Sequence, residues 1–194
     1  ARELTARGLV PTILVNNAGF GLRGQACDLD RGRQLAMIDL NVRALTDLSL
    51  RFVESLRRHR GGVINIASLA SFFPGPGMAV YFAGKAYVLA LSEALYCEFR
   101  PLGVKVTCVC PGPVLTEFQA RAGLGENPLP LLTRSAERIA RDAYDGFMRD
   151  KRLVVPGFPN KVAAAAPRIL PRGLVLWAVE KFQMKPAPGK RADD

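Results

Sequence analysis

The chain has 194 residues, of which 49% are hydrophobic, 23% charged and 8% aromatic. That profile fits one soluble globular domain and excludes a disordered tail, a collagen-like repeat and a coiled coil. The 27 Lys and Arg against 17 Asp and Glu give a net charge of +10, but the bases are spread along the chain, so they read as a solvated Arg-rich surface and not as a nucleic-acid footprint.

In chain order, Thr12–Asn16 (TILVN) reads as a buried strand running into Asn17-Ala18-Gly19. From Arg31 to Arg58, Leu35, Ile38, Val42, Leu45, Leu48, Phe52 and Leu56 recur at helical steps, predicting one long amphipathic helix. Gly61-Gly62 stops it, and Val63–Ala67 (VINIA) forms a second apolar strand before a Ser-, Gly- and Pro-rich loop, Ser68 to Gly77. A second long helix is expected from Met78 to Phe99, with small residues for close packing. Val104–Cys110 (VKVTCVC) is a third strand, closed by Pro111-Gly112-Pro113. Ser135–Met148 reads as helix and Leu153–Val155 as a last short strand. Strands alternating with helices of this length imply an α/β fold, a doubly wound parallel sheet with helices on both faces. Residues 117–134 have the Gly and Pro content of a loop that closes over substrate, and 160–194 reads as a C-terminal helical cap. Within that cap, Val162 to Met184 mixes apolar residues with Arg168, Arg172, Lys181 and Lys185, so a peripheral membrane contact is its second reading.

Four cysteines (Cys27, Cys97, Cys108, Cys110) and one histidine (His59) include no CxxC and supply no zinc set, so a reduced, cytoplasmic protein without a metal site is expected. The residues at Ala1 do not read as a secretory leader.

Tyr81 and Lys85 stand four apart on a helical pattern and share one face. A phenol with pKa near 10 is a poor acid or base at neutral pH. An ammonium at about 4–5 Å favours the phenolate by roughly 3–4 kcal/mol at an effective dielectric near 20, enough to bring the tyrosine down by about 2 pH units. Asn16-Asn17-Ala18-Gly19, Ser68 and Pro111-Gly112-Pro113-Val114-Leu115-Thr116 follow three successive strands, at the sheet end where open α/β folds bind ligands. Asn41 adds an amide midway along the intervening helix. Singly, each has a plain structural reading: a turn, a cap, a core amide, a lysine reaching for solvent. Together, their order and spacing resemble the short-chain dehydrogenase/reductase family, through NNAG (Asn16–Gly19), Asn41, Ser68, YxxxK (Tyr81 to Lys85) and PGxVxT (Pro111 to Thr116). The match covers roughly residues 12 to 116, and the RLVVPG turn with its basic tail looks like a broad-specificity bacterial branch.

The resemblance implies an NAD(P)-dependent oxidoreductase that interconverts a hydroxyl and a carbonyl, with a Rossmann-like fold. Tyr81 would be the general acid and base, Ser68 would hydrogen-bond the substrate oxygen, and Lys85 would hold the nicotinamide ribose and lower the tyrosine pKa. Asn41 would anchor a water in a proton relay. Asn16, Ala18 and Gly19 would lie against adenosine and ribose, and Pro111, Gly112, Val114 and Thr116 would border the nicotinamide. The family's glycine-rich turn, TGxxxGxG, does not occur in this sequence. The first strands are therefore expected upstream of Ala1, in about 60 further residues of two βα units, which makes 1–194 a partial single domain with the Thr12–Asn16 strand as an exposed apolar edge. Those strands would also carry the residue choosing between NAD and NADP; NADP is favoured here. Phe72, Phe73, Met78 and Phe118 suggest a small, apolar alcohol or carbonyl substrate. The intact protein is expected to be a homo-oligomer. The rival reading is a catalytically incomplete fragment or non-enzymatic binding module of the same fold.

Overall fold

The computed structural model describes residues 2–114 and 130–183. Its sheet has four strands, β1 (Ile13–Asn16), β2 (Gly62–Ile66), β3 (Lys105–Val109) and β4 (Leu153–Val154), all parallel and in the order β1-β2-β3-β4. The helices are α1 (Arg2–Ala6), α2 (Arg31–Ile38), α3 (Leu45–Arg51), α4 (Val53–Arg58), α5 (Ala79–Phe99), α6 (Ala136–Met148), α7 (Phe158–Ile169) and α8 (Arg172–Gln183).

Strand alternation sorts the core into two layers. Val63 of β2 and Val106 of β3 turn to one face and meet Leu56, Leu95 and Phe99 from α4 and α5. Ile64 and Val109 turn to the other and meet Ile139, Ala143 and Phe147 of α6. The sheet is therefore covered by helices on both faces, as its near-continuous apolar strands require.

β1 is an edge strand among the described residues, and its Val15 is 54% exposed, because α6 covers β2 to β4 and leaves the end of that face open. The expected apolar edge is present. β1 approaches the Gly61-Gly62 turn closely: Gly62 N–H donates to the Thr12 carbonyl at 3.2 Å, and a Cβ on Gly61 would collide with that same carbonyl.

The helix expected over Arg31–Arg58 is three helices. A π-helical turn, Asp39–Ala44, interrupts it around Asn41, and Phe52 separates α3 from α4. The apolar steps persist through both interruptions, so periodicity alone does not register them. In the C-terminal region, Pro171 breaks the helix as its missing N–H and fixed φ require, whereas Pro167 sits inside the last turn of α7. Gly61→Ala should destabilise the fold by about 1–3 kcal/mol through overpacking against β1, measurable as a shift in the urea midpoint; an unchanged midpoint would mean that β1 moves aside freely.

Candidate active site

The site forms where β1, β2 and β3 end. Asn16 and Asn65 are register partners on β1 and β2, and Asn16 Nδ2 donates to Asn65 Oδ1 at 2.8 Å and Ser49 Oγ at 3.0 Å. Asn65 Nδ2 donates onward to Ser92 Oγ at 2.9 Å. Four buried polar side chains thus join β1, α3, β2 and α5, each partner answering another's desolvation. Asn16 turns its amide into this network and away from solvent, while Ala18 and Gly19 lie exposed beyond it. Sequence reading missed Ser49, Asn65 and Ser92; the available signal was Asn65, a lone amide inside an apolar strand.

Asn41 lies in the π turn with its side chain buried. Its Nδ2 donates to the Phe20 carbonyl at 2.9 Å and its Oδ1 accepts from Phe20 N–H at 3.2 Å, so both polar atoms hold the chain just past Gly19. A Cβ on Gly19 would stand 2.8 Å from Asn41 Oδ1 and 3.7 Å from Lys85 Nζ. Only glycine lets this loop come so close.

Tyr81 and Lys85 are both buried on the inward side of α5. Lys85 Nζ donates to the Ile66 carbonyl, at the end of β2, at 2.8 Å and lies 5.9 Å from the centre of the Tyr81 ring. Ser68 caps the turn that follows β2, its Oγ accepting from Ala70 N–H at 3.1 Å, and its hydroxyl is hydrogen-bonded to the Tyr81 phenol. Ser71 Oγ donates to the Lys85 carbonyl at 2.8 Å, tying that turn to α5. The Pro111 carbonyl accepts from Leu69 N–H at 2.7 Å, which brings the end of β3 beside Ser68.

Five predicted residues therefore converge: Gly19, Asn41, Ser68, Tyr81 and Lys85. Gly112 is set against Asn160, whose Oδ1 would stand 2.6 Å from a Cβ there. Val114 turns to the α6 side, against the core that contains Ile64 and Val109, and pairs with Arg134. Thr116, Phe118 and most of the 117–134 loop lie outside the described residues. Of the predicted apolar lining, Phe73 and Met78 pack around Tyr81, joined by Phe20, Leu22, Met37 and Phe82. Phe72 turns to the core around Val88 and Cys108 instead.

The electrostatics correct one expectation. Burial pushes the Tyr81 phenol up to about 12, outweighing the Ser68 hydrogen bond that pulls it down. Burial likewise brings the Lys85 ammonium down to about 8, against a smaller opposing pull from the Cys108 and Cys110 thiols. The lysine does not bring the tyrosine down here because its Nζ turns to a carbonyl and both groups are desolvated.

The model for the family described as short chain dehydrogenase matches residues 11–127. An NADPH-dependent 1-acyldihydroxyacetone phosphate reductase of Schizosaccharomyces pombe is 35% identical over 165 residues, 82% of this chain and 54% of that protein. Sulfoacetaldehyde reductase 2 of Chromohalobacter salexigens is 39% identical over 108 residues, 54% of this chain and 43% of that protein. The chain thus spans about half the length of these curated relatives. Among solved structures, a short-chain dehydrogenase from Sphingobium yanoikuyae in complex with NADPH is 29% identical, with a TM-score of 0.71 over 94% of this chain and 68% of that one. A Burkholderia cenocepacia short chain dehydrogenase in complex with NADP, 22% identical with a TM-score of 0.75 over 94% and 75% of the two chains, shares the fold.

A lysine at about 8 when folded and 10.5 when unfolded binds fewer protons in the native state between those values. Its contribution to stability is therefore present above 10.5 and lost as pH falls to about 8, on the order of 3 kcal/mol across the window. Urea midpoints of the wild type and Lys85→Met, compared from pH 7 to 10 and beyond, should diverge in that sense; parallel curves would place Lys85 in solvent.

Proposed function

The chain belongs to the short-chain dehydrogenase family, and from that premise we propose that it carries the catalytic half of an NAD(P)-dependent oxidoreductase that interconverts a hydroxyl and a carbonyl. The observation that carries the reading is the convergence of Ser68, Tyr81 and Lys85 at the end of β2, with the tyrosine held as a neutral acid.

The residues present fit a nicotinamide dinucleotide. Gly19 has no side chain where a Cβ would crowd Asn41, and it stands exposed beside a buried ammonium. That arrangement suits close approach of a ribose whose hydroxyls need a donor. Ala18 and Gly19 would receive the adenosine side, and Lys85 the nicotinamide ribose. Asn16, its amide committed to the core, would contribute its main chain. Pro111, Gly112, Val114 and Thr116 are assigned to the nicotinamide border on their sequence pattern. When bound, the dinucleotide supplies or takes the hydride.

The chain's own residues manage the proton. In the reducing direction, Tyr81 Oη gives its proton to the substrate carbonyl oxygen. Ser68 Oγ, already hydrogen-bonded to that phenol, holds the same oxygen as negative charge develops on it. The Lys85 ammonium is fixed on the Ile66 carbonyl, 5.9 Å from the centre of the Tyr81 ring, where it would hold the ribose hydroxyls. In the oxidising direction the phenolate takes the hydroxyl proton, so alkaline pH favours that direction. Asn41 holds the backbone of Phe20, next to Gly19, with its side chain, and any relay water would be held by its main chain in the π turn.

Met78, Phe73, Leu22 and Phe20 around Tyr81 support a small apolar alcohol or carbonyl as substrate. The NADPH- and NADP-bound or NADPH-dependent proteins that the chain resembles support NADP over NAD. No helix among the described residues is long and apolar enough to cross a membrane; a cytoplasmic homo-oligomer, with exposed Leu35, Ile38 and Leu50 available for contact, completes the reading.

In the protein that carries this sequence, Tyr81→Phe should lower carbonyl reduction by about a hundredfold to ten-thousandfold while NADPH still binds, and Ser68→Ala by about a hundredfold or more. NADPH consumption with a panel of apolar ketones and aldehydes, alongside a nucleotide-fluorescence titration, separates the two effects. Turnover retained by Tyr81→Phe would remove the assignment.

A further inference from the structure

The solvent-facing sides of α7 and α8 are apolar where a surface helix ordinarily carries charge. On α7, Asn160 and Ala164 face the protein. The opposite side presents Phe158, Val162, Ala165 and Ile169, spaced as one stripe at i, i+4, i+7 and i+11. Phe158 is 76% exposed, Val162 55% and Ile169 82%. On α8, Val175 is buried, and the outer side presents Leu174, Trp177, Ala178 and Lys181 at i, i+3, i+4 and i+7, with Trp177 57% exposed. Large apolar side chains left exposed along one side of each helix in this way mark a docking site.

The charges beside it are one-sided. Lys161, Arg168, Arg172 and Lys181 lie on these two helices with Glu180 as the single acid. A two-fold contact between copies of this face would set the bases against one another. Anionic headgroups would instead neutralise them while the apolar stripe enters the acyl boundary.

The position is also suited. The Asn160 amide donates to the Leu132 and Pro156 carbonyls at 3.0 and 2.7 Å, anchoring the start of α7 to segments that follow β3 and β4. Arg23, in the loop after β1, donates to the Gln183 carbonyl at the end of α8 at 3.0 Å. Both helices are thus tied to the end of the sheet that carries Tyr81.

We propose that the outer faces of α7 and α8 form a docking surface for an anionic lipid bilayer, on which the protein lies without crossing it. The surface stands on its own observations and does not depend on the reaction assigned above.

Trp177 is the chain's one tryptophan, so its emission reports the contact directly. Vesicles of phosphatidylcholine with phosphatidylserine should shift that emission to the blue, and brominated lipid should quench it; Trp177→Phe assigns the signal. Phosphatidylcholine alone should do neither. In vesicle flotation, Phe158→Ser with Ile169→Ser should weaken binding at least about tenfold, and replacing the four bases by serine should weaken it by roughly fivefold per base. Thermal melts check that these exposed changes keep the fold. The proposal is overturned by an unmoved emission, by equal binding to neutral vesicles, or by variants that float like the wild type. It is equally overturned if light scattering shows a dimer that Phe158→Ser with Ile169→Ser dissociates while vesicles leave the protein unbound, which would assign the face to a second copy.

Discussion

A buried ammonium must be answered by an acceptor, or it costs several kcal/mol of desolvation. Lys85 is 6% exposed, and its acceptor is the Ile66 carbonyl at 2.8 Å. That one bond fixes much else. It ties α5 to the last residue of β2, Ile66. Gly19 comes close beside the ammonium, where a Cβ would stand 2.8 Å from Asn41 Oδ1. The same bond places Tyr81, one helical turn earlier on α5, in the same desolvated space, where Ser68 at the other side of the β2 terminus can reach the phenol.

The strands, α5 and α6 were legible to within a residue or two because burial on both faces leaves apolar runs of strand length, and those two helices keep a plain period. β1 and β3 fall inside the expected stretches, β2 begins at Gly62, one residue before its own, and α5 begins one residue after Met78. What periodicity could not register is the π turn around Asn41. An extra residue in one turn shifts the register without removing the apolar side chains that carry the signal. The Asn16–Asn65–Ser92 network was hidden for a related reason. Its members lie on three elements far apart in sequence, and only the strand register brings them together.

The site's residue types were legible, since Tyr81, Lys85, Ser68 and Gly19 meet as their spacing implies. Their electrostatics were not. The effect of a lysine on a phenol depends on which way the ammonium points and how much water remains, and spacing carries neither. Here desolvation outweighs the Ser68 hydrogen bond at Tyr81, and a main-chain carbonyl holds the ammonium. A similar limit applies at the C-terminus, where composition shows apolar and basic residues together. The fold decides that Asn160 and Ala164 face inward while Phe158 and Ile169 face water.

The central claim is that Lys85 is a desolvated ammonium that works beside a tyrosine held neutral. The pH dependence of kcat/KM for carbonyl reduction, with a saturating nucleotide, tests it most directly. In the proposed mechanism reduction needs Tyr81 and Lys85 both protonated, so the rate should hold level through neutral pH and fall as pH rises through about 8, where Lys85 loses its proton. A rate that stays level until the ordinary lysine range near 10.5 would contradict the account.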